Sequence, residues 1–130
     1  MTELFVGGGL ALAVGLFATG VGLDRDRAFY PTVLIVVASY WALFAIMGGG
    51  PGVLVRECAV AALFVGLAIA GFKRSLWLAV VGLCAHGVFD LAHASLFANP
   101  GAPAWWPEFC SCYDVVAGAY LAWRLRRPLL

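Results

Sequence analysis

Five apolar stretches alternate along the chain with short charged or glycine- and proline-rich breaks. Each runs roughly 15–22 residues, near the ~20 needed to cross a ~30 Å hydrocarbon core. The first covers residues 4–23 and stops at Asp24-Arg25-Asp26-Arg27. The second opens after Tyr30 with Pro31, in a helix-opening position that tolerates a missing N–H, and runs to residue 47. Gly48-Gly49-Gly50-Pro51-Gly52 breaks the chain before a third stretch, 53–72, which ends at Lys73-Arg74. Ser75 can cap a fourth, 76–97. After the loop Asn99-Pro100-Gly101-Ala102-Pro103 and the aromatic segment Trp105-Trp106-Pro107, a fifth helix is predicted to begin near Ser111. It ends at Arg124-Leu125-Arg126-Arg127. The pattern predicts an all-α fold, an integral membrane bundle of five transmembrane helices forming one domain over residues 1–130.

Composition agrees with that reading. Hydrophobic residues make up 64% of the chain and charged ones 12%, and mean hydropathy is +0.97. A soluble domain carries about 25% charged residues, so this chain lacks the polar surface that solubility requires. Gly7, Ala11, Gly15 and Thr19 recur at four-residue spacing in the first helix, a small-residue stripe that lets another backbone approach closely in lipid. The start, Met1-Thr2-Glu3-Leu4, lacks the positive n-region of a cleaved signal peptide. There is no internal repeat of the kind that builds inverted-repeat transporters.

Charge adds an orientation. With loops counted alternately, Arg25, Arg27, Lys73, Arg74, Arg124, Arg126 and Arg127 fall on one side and only Arg56 on the other. The positive-inside rule then places the N-terminus outside and the C-terminus in the cytoplasm. Four spans would divide the basic residues between the two sides, so the partition itself argues for the fifth. A net charge of +1, with no basic patch beyond these juxtamembrane clusters, argues against a nucleic-acid partner. The expected partners are membrane lipid and a second copy of the chain.

The candidate chemistry lies in the fourth helix. His86, Asp90 and His93, spaced i, i+4 and i+7, fall within about 60° of one another on one helical face. Ionisable groups at membrane depth are expensive and mark function by default. At ~1.5 Å per residue His86 lies near the midplane, Asp90 about 6 Å further out and His93 near the outer boundary. Arg56, Glu57, Glu108 and Asp114 belong to the same outer layer. Two imidazoles and a carboxylate, completed by Glu57 or Asp114, would suit a divalent metal ion such as Zn²⁺, Fe²⁺ or Cu²⁺. Haem fits poorly, because two histidines on one face cannot flank one iron. Two other readings compete: a polar cavity that relays protons or binds a ligand, and an inert network in which Arg56 pairs with Asp90 and Glu57 with a histidine.

Several of these residues also have plainer roles. Ser111-Cys112-Tyr113-Asp114 has the form of a capping box, which would explain Asp114 without chemistry. Glu108 reads as a solvated loop residue. Trp105, Trp106 and Tyr113 read as an interfacial aromatic belt, and Tyr40 and Trp41 as packing, although Tyr40 could line the same cavity. Cys58, Cys110 and Cys112 share the outer side, where a staple from Cys58 to the last loop is feasible. Cys84, about 160° from His86 on the helix, is expected to pack as a small apolar residue.

The run His86-x-x-x-Asp90-x-x-His93, followed by Trp106-Pro107-x-Phe109-Cys110-x-x-Tyr113-Asp114, resembles a group of small bacterial multi-pass membrane proteins of unassigned activity. Phe29-Tyr30-Pro31, running on through Tyr40 to Phe44, is similar to that group too. The resemblance implies a bacterial cytoplasmic membrane and a common purpose for the polar residues of the last two helices and the aromatic loop. Three functions follow as expectations. They are a small metal-dependent membrane enzyme acting at the outer leaflet on a lipid or other apolar substrate, an oligomeric proton- or ion-conducting or ligand-binding protein, and an accessory subunit of a larger membrane complex.

Overall fold

The computed structural model describes residues 1–127 and is all-helical over them. Five α-helices follow in order: α1 (Thr2–Val21), α2 (Phe29–Phe44), α3 (Pro51–Lys73), α4 (Trp77–Leu96) and α5 (Trp106–Arg126). Four are long and apolar enough to cross a membrane, the second when its π-helical continuation Ala45–Gly49 is included. The fifth, α5, is equally long but carries Glu108, Asp114, Arg124 and Arg126. It runs beside α1 and α4 for its whole length.

The helices alternate in direction, so α1 and α5 run parallel. Gly7 of α1 meets the Phe109 carbonyl near the start of α5, where a β-carbon would clash with backbone. Two turns on, a β-carbon at Gly15 would lie 3.0 Å from the Tyr120 ring. At the far end the Thr19 hydroxyl lies 2.7 Å from the Tyr120 hydroxyl, and Arg124 Nε donates to Asp24 Oδ2 at 3.1 Å. The four-residue stripe read from the sequence is therefore the seat of the last helix, with dispersion contacts in close approach holding the pair. Between these two helices and α3 stands α4, antiparallel to both α3 and α5. Cys84 packs on Gly118, as a small apolar residue should.

The exterior differs from that of a soluble domain. Phe5, Leu16, Phe17, Val55, Leu63 and Val88 are more than half exposed. Glu57, His86, Asp90, His93, Ser111 and Asp114 are buried. An apolar exterior around a core that encloses these polar groups among apolar ones suits hydrocarbon as solvent. The seven basic residues named above also gather at one end of the bundle. There Arg27 donates twice to the Phe72 carbonyl, at 3.0 and 3.1 Å, and the Arg126 guanidinium sits 5.8 Å from the Trp77 ring. At the opposite end Arg56 is exposed, 6.0 Å over the Phe97 ring.

One boundary differs from the sequence expectation. The last helix opens at Trp106, not near Ser111. Pro107 in its first turn has the fixed φ and missing N–H that suit a helix start, and Glu108 adds a carboxylate at the positive end. Trp106 is buried against Phe44 and Tyr40, with ring centroids 4.9 and 5.0 Å away. It is thus an anchor of the core and not part of an interfacial belt. Ser111 and Asp114 consequently sit inside α5, which removes the capping-box explanation for Asp114. The exposed Glu108 behaves as expected of a solvated residue.

Candidate functional site

The buried ionisable groups form two sets on one face of α4. The first is deep. His86 Nδ1 lies 2.7 Å from Asp114 Oδ2 on α5 and 3.5 Å from Asp90 Oδ2, one turn along its own helix. Asp90 Oδ1 accepts a 2.7 Å hydrogen bond from the Trp41 indole, while Asp90 Oδ2 has no hydrogen-bond partner among the described residues. One ligand atom from each of His86, Asp90 and Asp114 can be chosen so that all three lie within 4.8 Å of one another. The Cys110 thiol closes the group, 3.8 and 3.9 Å from the two Asp114 oxygens.

The second set lies nearer the α4–α5 loop. His93 Nε2 is 2.7 Å from Glu57 Oε2 on α3, and that oxygen also accepts from Asn99 Nδ2 at 2.7 Å. Asn99 Nδ2 further donates to the Trp41 carbonyl at 3.0 Å, and its own Oδ1 accepts from the Gly101 amide at 3.2 Å. Asn99 thereby pins the loop to α2 and α3 together. The α2–α3 connection is shaped to receive it. A π-helical turn, Ala45–Gly49, ends at Gly50 with φ of 86°, a left-handed conformation that favours glycine. Gly101 packs directly on the Phe44 carbonyl. Isolated π-turns of this kind recur at functional sites.

Trp41 joins the two sets. Its indole N–H bonds Asp90, its carbonyl receives Asn99, and its ring stacks on His93 at 3.6 Å between centroids and 4° between planes. Phe64 and Phe89 cover the imidazoles from α3 and α4. Sequence reasoning treated Trp41 as packing and Asn99 as a loop breaker. A signal for the first was present, since a tryptophan at membrane depth needs a partner for its N–H. None was present for Asn99, whose partners are 42 and 58 residues away.

The sequence-predicted residues thus divide. Asp114 and Glu57 both complete the cluster, each with a different histidine. His93 stands about 10 Å further along the axis than His86, seven residues at ~1.5 Å, and binds its own carboxylate. Arg56 does not reach Asp90, whose partners are Trp41 and His86. Tyr113, half-buried, lies outside both sets. The four cysteines are free thiols, so Cys58, exposed on α3, forms no staple to the last helix.

An apolar groove runs beside the deep set. It separates α1 from α2, which are consecutive in sequence but do not pack on each other, and α5 forms its floor. The space measures about 590 Å³ and is bordered by Leu10, Phe29, Val36, Tyr40, Phe109 and Tyr113 among others. Cys110 faces it as well, which leaves a single side chain between the groove and Asp114. In comparisons with protein-family models, curated proteins and solved structures, nothing matches this chain.

Proposed function

We propose that this chain is a membrane-embedded metalloprotein that holds a divalent ion at His86, Asp90 and Asp114 and uses it on an apolar substrate drawn from the bilayer. The carrying observation is the set of three fully buried ligand atoms within 4.8 Å, one nitrogen and two carboxylate oxygens. Charge supports it. Two carboxylates face one imidazole, and among the described residues the only arginine–carboxylate bridge, Arg124–Asp24, is at the far end of the bundle. A buried carboxylate without a counter-charge is strongly destabilising. A divalent cation with neutral His86 and two ionised aspartates makes the site neutral.

In this reading His86 Nδ1, which faces both carboxylates, gives its lone pair to the ion in place of a proton shared with Asp114. Asp90 Oδ2 is the free ligand atom, and the Trp41 N–H fixes that carboxylate from behind, as outer-shell donors do in metal sites. One nitrogen and two hard oxygens suit Zn²⁺ or Fe²⁺, with Cu²⁺ less favoured by a single imidazole. Three protein ligands leave coordination positions for water or substrate, and a bound metal supplies Lewis acidity or a nucleophilic hydroxide.

Proton conduction is the competing use of the same groups. The two sets nearly connect from Asn99 to Asp114, but Trp41 stands between them, and an indole only donates. A proton on His93 therefore has no acceptor on the route to Asp90, which favours the metal reading. The seven-to-one division of basic charge between the two ends of the bundle supports an orientation in the membrane with the basic end in the cytoplasm.

The test is elemental analysis of detergent-purified protein, prepared without chelator and again after incubation with zinc, iron and copper. One ion per chain, absent in Asp114→Asn, supports the proposal. Wild-type protein free of metal under every condition overturns it.

A further inference from the structure

We infer that the groove between α1, α2 and α5 holds a hydrocarbon chain of a membrane lipid, with the far end of the chain laid against Cys110 beside the deep polar set. Occupancy of the groove stands on its own geometry. Its role as the substrate seat rests on the metal reading above.

The walls set the chemistry of the occupant. They are apolar apart from Asp26 and Thr32 near the basic end and Tyr40, Cys110 and Tyr113 toward the other. Leu10, Leu23, Thr32 and Val36 on the rim are exposed, so the groove opens sideways to the surroundings of an apolar exterior, which in a membrane are lipid tails. From Phe29 to Tyr40 it follows α2 for eleven residues, about 16 Å, roughly one leaflet's share of a ~30 Å hydrocarbon core. The groove's volume is about 590 Å³, and a single hydrocarbon chain of that length fits it.

The ends set its direction. Asp26 lies in the basic turn between exposed Arg25 and Arg27, at the depth of lipid headgroups. A lipid of that leaflet keeps its polar head at this turn and lays its tail along α2. The tail reaches Tyr113 and Cys110, whose sulfur is 3.8 Å from Asp114 Oδ1. The apolar substrate of the proposed centre is then a lipid tail approached from the side.

Photo-crosslinking in nanodiscs tests this directly, with a phospholipid bearing a diazirine along one acyl chain. Labelling should concentrate on peptides containing Val36 and Tyr113, several-fold above those containing Leu63 and Val88, which are lipid-exposed outside the groove. Val36→Trp, which fills the groove from its exposed rim, should reduce the groove labelling several-fold, whereas Val88→Trp should leave it unchanged. Equal labelling over all exposed apolar positions would overturn the inference and mean an ordinary annular lipid. Elemental analysis of the same wild-type protein separates the two proposals. Groove labelling that persists while wild-type protein holds no metal keeps the lipid seat and removes the metal centre. Stoichiometric metal with uniform labelling does the reverse.

Discussion

The deep set of His86, Asp90 and Asp114 and the shallow set of Glu57, His93 and Asn99 use the same residue types on the same face of α4, yet they are built to different ends. In the shallow set one imidazole meets one carboxylate, and an amide side chain ties that carboxylate on α3 to the Trp41 carbonyl of α2. The His93 ring is stacked flat against Trp41, which holds it in one orientation. In the deep set the carboxylates outnumber the imidazole, and one aspartate oxygen is left without a hydrogen bond. The shallow set pairs one imidazole with one carboxylate, although Glu57 Oε1 likewise has no hydrogen-bond partner among the described residues. The deep set has two carboxylates to one imidazole, and that imbalance is what favours the proposed metal site.

The largest effect that would break this contrast is on metal content. We expect His86→Ala to abolish stoichiometric binding and His93→Ala to leave the ion count unchanged, as read by elemental analysis of folded protein. Loss of metal in both variants would mean that the two sets act as one. Next is stability. Glu57→Ala leaves His93 without its carboxylate and Asn99 with only the Trp41 carbonyl, and breaking a buried pair from one side costs about 3–5 kcal/mol. The double variant Glu57→Leu with His93→Leu should recover much of that loss, because no orphaned charge remains. Denaturant titration in detergent measures both.

Trp41→Phe should sit between the sets in effect. It keeps most of the stacking on His93 but removes the donor to Asp90, at about 1–3 kcal/mol for the unsatisfied oxygen. Through the same carboxylate it should weaken metal affinity about 10- to 100-fold, the usual penalty for losing an outer-shell partner. An unchanged metal affinity would place Asp90 outside the coordination. The smallest effect belongs to Arg56→Ala. With Arg56 exposed and only a ring near it, stability should change by no more than about 0.5 kcal/mol. A large loss would revive an Arg56–Asp90 pair and undo the argument from charge.

Much of this was legible in the sequence for stated reasons. Alternation of apolar runs with charged breaks located the helices because hydrocarbon forbids anything else at that depth. The spacing of His86, Asp90 and His93 identified the inward face of α4 because angular position depends only on residue number. The same arithmetic contained the axial separation of His86 and His93, about 10 Å, which is too great for one small ion. What the sequence concealed were contacts set by tertiary packing. The opening of α5 at Trp106 depends on a tryptophan finding Phe44 and Tyr40 across the bundle. The role of Asn99 depends on a loop folding back over α2 and α3. Asp114 has the place of a cap only for a helix that starts beside it, and α5 starts eight residues earlier, at Trp106.

The parallel seating of α5 on α1 bears on how the protein is made. Asp24 and Arg124, one hundred residues apart, must meet before the bundle is complete. With its four charged side chains, α5 is a poor candidate to enter lipid alone. Until it arrives, the glycine face of α1 has no helix to rest on, and His86 has no Asp114. The two deficiencies are met in one event, docking of the last helix onto surfaces already in the membrane. Insertion of the final span is then a matter of assembly rather than of partitioning. A lesion at Gly7, where the seat is tightest, would strand a charged helix at the membrane surface, exposed to quality-control proteases.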